Sequence, residues 1–179
     1  KIYDGTPLMY SDILGSDGKP YKVTNSSIVE GETVDIVDYN STAIDVLLNG
    51  DEIIGYENYI KIVINKANGV DSSLNYDVNY VNGTLTINKC PIKIQADYAT
   101  KVYDGTPLTN SEWEYADENK KLVLDHVLVV DKPLISITEL GSIENTNTYK
   151  VYDTNSVDVS YNYNIIISIP GTLEIRKRV

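Results

Sequence analysis

Two five-residue groups bring a phenol, a carboxylate and a hydroxyl together: Tyr3-Asp4-Gly5-Thr6-Pro7 and Tyr103-Asp104-Gly105-Thr106-Pro107. With Asp12 and Glu112 nearby, such oxygens are raw material for a calcium site. Calcium takes roughly six to eight oxygens, commonly from acids alternating along one loop, and no such string occurs here. A tight turn, by contrast, uses every residue of the group. Gly5 and Gly105 supply backbone freedom. Pro7 and Pro107 fix φ and hold the preceding threonine extended. Asp4 and Asp104 accept backbone N–H groups in an Asx turn, and Tyr3 and Tyr103 anchor that turn on a core. The group reads as structural, with no metal and no cofactor.

Catalytic chemistry has little to work with. The chain holds one histidine, His126, whose place in the first half is taken by Glu30-Gly31-Glu32. It reads as a surface or loop residue rather than a general base. Nucleophile-elbow, paired-histidine and phosphate-loop motifs are absent. Acid pairs for glycoside cleavage can be picked at will from 26 Asp and Glu, so their presence discriminates nothing. We expect no enzyme.

Ligand stacking is better served. Trp113 and Tyr115 flank Glu114, and strand alternation places both rings on one face, where a sugar ring could stack. The first half has Ile13 and Gly15 there, so this surface belongs to the second half alone. Tyr56 and Tyr59, with Tyr39, form a second candidate surface. Lys, Asn and Glu are also plentiful enough to permit a Lys–Asn amide cross-link assisted by a buried acid, although no spacing singles out a triad.

The elements that must position these residues come in duplicate. Lys1-Ile2-Tyr3-Asp4-Gly5-Thr6-Pro7-Leu8 returns as Lys101-Val102-Tyr103-Asp104-Gly105-Thr106-Pro107-Leu108, and Gly83-Thr84-Leu85-Thr86-Ile87-Asn88-Lys89 returns as Gly171-Thr172-Leu173-Glu174-Ile175-Arg176-Lys177. Repetition at this spacing means tandem modules, which we place at 1–89 and 90–179. The first is longer, with its excess expected around Asp38 to Gly69. Ile92 to Tyr98 reads as a lead-in strand before the second motif that the first copy lacks, as expected for a piece of a longer array. A short linker is expected around Asn88 to Lys93.

Period-two alternation dominates: Tyr21–Thr24, Thr33–Val37, Ile60–Ile64, Tyr76–Tyr80 and Thr84–Ile87 in the first copy, and Lys121–Leu124, Leu134–Ile137, Tyr149–Tyr152 and Ile165–Ile169 in the second. Each opening motif is expected to lead into a polar hairpin turn, at 15–20 and 115–120. The one candidate helix is Ser41 to Leu48. The fold expected is all-β and mainly antiparallel, with two small β-sandwich-like modules, a β-grasp-like sheet being the alternative.

Composition sets the remaining bounds. Hydrophobic residues make up 42% of the chain, enough for a core. No apolar run approaches the roughly 18 residues of a membrane helix. A net charge of −11 repels phosphate backbones and anionic membranes, so nucleic acid is not an expected partner. The single cysteine, Cys90, leaves no internal disulfide.

The paired opening and closing phrases, with Asn75-Tyr76 and Asn162-Tyr163 before the latter, resemble the YDG/MBG-type tandem repeats of bacterial cell-surface proteins. The resemblance covers both copies over nearly the whole length. It implies extracellular arrays in large adhesin-like proteins, with no enzyme activity. It implies no agreed ligand; the partners expected are neighbouring repeats in the same chain and, through the parent protein, host or environmental glycans or mucin. The family's Gly-Asp pair after the first hairpin is Gly31-Glu32 here, and Asp125-His126 in the second copy. The function expected is that of a stalk or spacer, the alternative being a glycan- or mucin-binding adhesive module.

Overall fold

The computed structural model describes residues 1–9, 28–39 and 42–179. The chain divides into two compact units, one of Lys1 with Thr6–Asn88 and one of Ile2–Gly5 with Lys89–Val179. Strands of the first are β1 (Leu8–Met9), β2 (Thr33–Tyr39), β3 (Thr42–Ala43), β4 (Leu47–Asn49), β5 (Glu52–Ile54), β6 (Tyr56–Asn58), β7 (Ile60–Asn65) and β8 (Gly83–Leu85). Those of the second are β9 (Cys90–Ala96), β10 (Ala99–Val102), β11 (Trp113–Tyr115), β12 (Val127–Val130), β13 (Gly141–Asn145), β14 (Tyr149–Tyr152), β15 (Tyr163–Ile169) and β16 (Gly171–Arg176). Helix among the described residues is limited to single 3-10 turns at Ser73–Asn75 and Ser160–Asn162, so the protein is all-β with mainly antiparallel pairing.

Alternation builds the second unit. Along β9, Ile92, Ile94 and Ala96 are buried while Pro91 and Lys93 face solvent. Leu173 and Ile175 do the same on β16. Two three-stranded sheets result, β11-β9-β15 and β10-β16-β13, beside a β12–β14 ribbon. Their buried side chains, with Val151 and Tyr163, make the core, each aliphatic contributing about 2 kcal/mol. The pairings β9–β15 and β10–β16 are parallel.

The duplication is visible bond by bond. In the first unit Ser72 N donates to Ile64 O at 2.8 Å, and Ser73 Oγ accepts from Ile64 N at 2.8 Å. In the second, Val159 N donates to Val151 O at 2.8 Å and Ser160 Oγ accepts from Val151 N at 2.8 Å. Glu32 N bonds Val29 O as His126 N bonds Val123 O, both at 3.0 Å. Lys101 lies opposite Ile175 in the β10–β16 pair. Lys1 takes the same parallel register, its N donating to Thr86 O and its O accepting from Asn88 N, both at 2.8 Å.

These matches relocate part of the extra length. Leu8 pairs with Ala43 as Leu108 bridges Ile137, and Tyr56 pairs with Leu85 as Ile143 pairs with Leu173. Residues 44–55 therefore stand against 138–142, and the additional piece is the β4–β5 hairpin. The remaining excess falls between Met9 and Val29, outside the region expected to contain it.

Other local expectations need correcting. The stretch read as a helix from Ser41 to Leu48 holds strands from Thr42 and from Leu47. So short a helix cannot stand alone, and a two-residue turn at Gly50-Asp51 closes Leu47 onto Ile54. Lys121–Leu124 is not a strand, because Leu124 and Asp125 turn the chain with φ of 54° and 57°. Leu134–Ile137 keeps one bridge, Ile137 to Leu108, after a proline that has no N–H to give. The hairpin expected at 115–120 does not form: β11 pairs back onto β9, and Lys120 N closes a local turn on Asp117 O. Tyr76–Tyr80 is irregular although its counterpart β15 is regular. The difference lies in the partner, since β15 bonds to β9 and no strand pairs with Tyr76–Tyr80 among the described residues. Cys90 already pairs with Tyr163, which removes residues 90–93 from the expected linker. Tyr21–Thr24, Ser41 and the 15–20 turn lie outside the described residues.

Candidate functional site

The repeated turn forms as the residue types require, with one participant that turn logic overlooked. Gly5 and Gly105 have φ of 77° and 79°. Asp104 Oδ1 accepts from Thr106 N at 2.9 Å, an Asx turn. The lysine heading each octapeptide then closes the loop. Lys101 Nζ donates to Asp104 Oδ1 and Thr106 Oγ1, both at 2.7 Å, and Lys1 Nζ donates to Thr6 Oγ1 at 2.6 Å and Thr6 O at 2.9 Å. Its identity in both copies was the available signal. With an ammonium and an amide on Asp104, the calcium reading loses its central ligand. No group of three or more His, Cys, Asp or Glu able to hold a metal occurs among the described residues.

Asp104 is held well below the usual carboxylate range, first by the Lys101 hydrogen bond and then by those from Thr106. A folded pKa below the unfolded one adds stability that is present above the ordinary value near 4 and is lost as pH falls toward the folded value. The loop around Tyr103 should therefore loosen progressively in acid. We expect the protection of the Thr106 amide, relative to intrinsic exchange at the same pH, to fall below about pH 4, and Asp104→Asn to flatten that fall. An exchange profile unchanged by the substitution would count against it.

The two motif tyrosines have different fates. Tyr3 is 3% exposed, and residues 2–5 belong to the second unit. There its ring stacks on His126 at 6.5 Å and meets Tyr163 edge-on at 5.4 Å. His126 Nδ1 and Tyr163 Oη are hydrogen-bonded at 2.8 Å. Burial pushes the Tyr163 phenol well above its ordinary range. A Cβ on Gly5 would fall 2.5 Å from Leu124 Cδ1, an exposed side chain that would have to swing aside, and the φ of 77° at Gly5 favours glycine. His126 is thus the half-buried wall of an aromatic pocket rather than a surface residue. Tyr103, expected to anchor its own turn, is 37% exposed.

Trp113 and Tyr115 do share a face of β11 and are half-buried, with Glu114 outward. Their rings meet at 89° and 5.1 Å, edge to face, so they form no flat platform. Trp113 also touches Tyr149 edge-on at 6.4 Å. Its other side lines an open cleft of about 590 Å³ with Tyr98, Asp97, Glu112, Glu114 and Pro170. Tyr98, 72% exposed, was not foreseen as a site residue.

Buried asparagines hold that cleft's walls. Asn145 Nδ2 donates to Asp97 O at 2.8 Å and to Asn110 O at 3.2 Å, and Asn147 Nδ2 donates to Asn110 O at 2.8 Å. Asn110 Nδ2 in turn donates to Tyr98 O at 3.0 Å. These amides are spent on carbonyls, which leaves Asn145 and Asn147 poor candidates for an amide cross-link.

In the first unit Tyr56 sits on β6 opposite Leu85, half-buried, its phenol pushed up by burial and by Asp45. Tyr59 is half-buried just before β7. These two belong to a different unit from Trp113 and Tyr115. Comparison with protein-family models, with curated proteins and with solved structures finds no match to this chain.

Proposed function

We propose that the chain is a non-enzymatic, load-bearing stalk segment of a bacterial surface protein of adhesin type, in the manner of YDG/MBG repeats, working outside the cell. The parallel pairing of β10 with β16 carries this reading. Strand β10 lies near the start of the second unit and β16 at its end. Force on the two ends pulls parallel neighbours in opposite directions along their length, so all the inter-strand hydrogen bonds load together. The Lys1–Thr86 and Asn88–Lys1 bonds give the first copy the same arrangement.

Single-molecule pulling tests it. Through the chain ends, the second unit should resist to several-fold higher force than when pulled through Asp125 and Thr154. Those positions flank the same end of the antiparallel β12–β14 ribbon, which opens one bond at a time. Release of the unit should lengthen the tether by roughly 300 Å at about 3.4 Å per residue. Equal forces in both geometries would defeat the stalk reading.

A second reading rests on the Trp113 cleft, where aromatic rings and carboxylates line one concavity in the manner of a sugar site. A glycan and mucin array tests it. Saturable binding lost in Trp113→Ala and Tyr98→Ala supports an adhesive module, and silence from the folded chain rejects it.

A further inference from the structure

The first unit repeats the pocket that holds Tyr3, by the same bonds. Tyr76 corresponds to Tyr163, each following a matching 3-10 turn. The Tyr76 hydroxyl donates to the Glu32 carboxylate, as Tyr163 is bonded to His126, and Glu32 and His126 close the same backbone turn on Val29 and Val123. Val29 N donates to Tyr76 Oη at 3.0 Å. The occupancy differs. Tyr163 is 4% exposed beneath the Tyr3 ring, whereas Tyr76 and Glu32 are only half-buried and Val29 is 62% exposed. No ring lies against Tyr76 among the described residues.

The second unit presents the complementary part. Val102 to Pro107 repeats the Tyr3 segment in sequence and in backbone conformation, with φ of 77° at Gly5 and 79° at Gly105. Ile2 and Val102 are alike in exposure, 55% and 53%, yet Tyr103 is 37% exposed against 3% for Tyr3. One chain therefore carries a preformed aromatic plug and a preformed partly open socket of the kind that the same plug fills elsewhere in the molecule.

We propose that the Tyr103-Asp104-Gly105 loop of one copy docks into the Val29–Glu32–Tyr76 pocket of a second copy, giving head-to-tail association. Such a contact uses different surfaces on the two partners, so it is heterologous and leaves each copy one unused surface for a further partner. The plug needs little ordering, because Lys101 and Asp104 already hold its turn. Like charge opposes the encounter, the chain carrying −11, so association should strengthen as salt screens the repulsion.

The test uses the full chain. Isotope-labelled Tyr103→Ala protein, which keeps the socket and lacks the plug, is titrated with unlabelled wild type and, separately, with unlabelled Tyr103→Ala. The expected result is saturable amide shifts at Val29, Glu32 and Tyr76 with wild type, stronger at 500 mM than at 50 mM salt, and at least tenfold weaker with Tyr103→Ala. Because Tyr103 is exposed, the substitution leaves the fold intact, and the labelled spectrum checks this directly. Shifts that persist with the Tyr103→Ala titrant, that map away from this pocket, or that are absent at millimolar wild type would each overturn the proposal.

Discussion

Gly171→Ala should unfold the second unit, while the same change at Gly83, its counterpart, should pass almost unnoticed. A Cβ at position 171 would lie 1.9 Å from the carbonyl oxygen of Asp97 and 2.7 Å from that of Ala96. Both are backbone atoms, and Asp97 O is further held by the buried Asn145 amide. Relief requires β16 and the chain after β9 to part by more than an ångström, breaking the Asn145–Asn110 network. We expect a loss of about 4 kcal/mol or more, the upper range for overpacking. At Gly83 the nearest atom is Asn58 Nδ2 at 3.9 Å, ordinary contact, and the cost should stay within about 0.5 kcal/mol. Urea unfolding of the full chain, followed by Trp113 fluorescence for the second unit, reads the difference. Equal midpoints for the two variants would contradict this account of the close approach.

Tyr3→Ala should be the second large effect, and Tyr103→Ala its silent twin. Removing the Tyr3 ring takes away the stacked neighbour of His126 and the edge partner of Tyr163, leaving a hole above a buried phenol. Truncating a buried aromatic costs about 3 kcal/mol or more. For a domain of this size that lowers the unfolding temperature of the second unit by roughly 12 °C or more. Tyr103, being exposed, should shift it by no more than about 2 °C. The assignment of residues 2–5 to the second unit makes the Tyr3 result diagnostic. If Tyr3→Ala leaves the second unit's melting unchanged, the pocket does not hold that ring in solution.

Much of the architecture was legible because it depends on short-range rules. Alternation marks Ile92–Tyr98, Ile60–Ile64 and Ile165–Ile169 as strands, and β9, β7 and β15 cover most of these residues. The octapeptides announce a turn whose glycine takes positive φ and whose aspartate accepts backbone N–H groups. The errors fall where a neighbour rather than the local pattern decides. Tyr76–Tyr80 alternates as a strand should, yet pairs with no strand among the described residues. Lys121–Leu124 alternates too, yet the chain turns there so that His126 can reach Tyr163.

The candidate site was half legible for the same reason. Trp113 and Tyr115 share a face because alternation fixes which side of β11 each occupies. Their perpendicular contact, and the cleft shared with Tyr98 and Asp97, come from residues on other strands. The sequence by itself determined the duplication, the turn chemistry and the two-faced strands, since each follows from residue types a few positions apart. Tertiary structure alone decided that Tyr3 is buried and Tyr103 exposed, and that backbone crowds Gly171 while Gly83 has room for a Cβ. Identical motifs differ there because burial and close approach are set by distant groups, His126 and Tyr163 for one and the Asp97 carbonyl for the other.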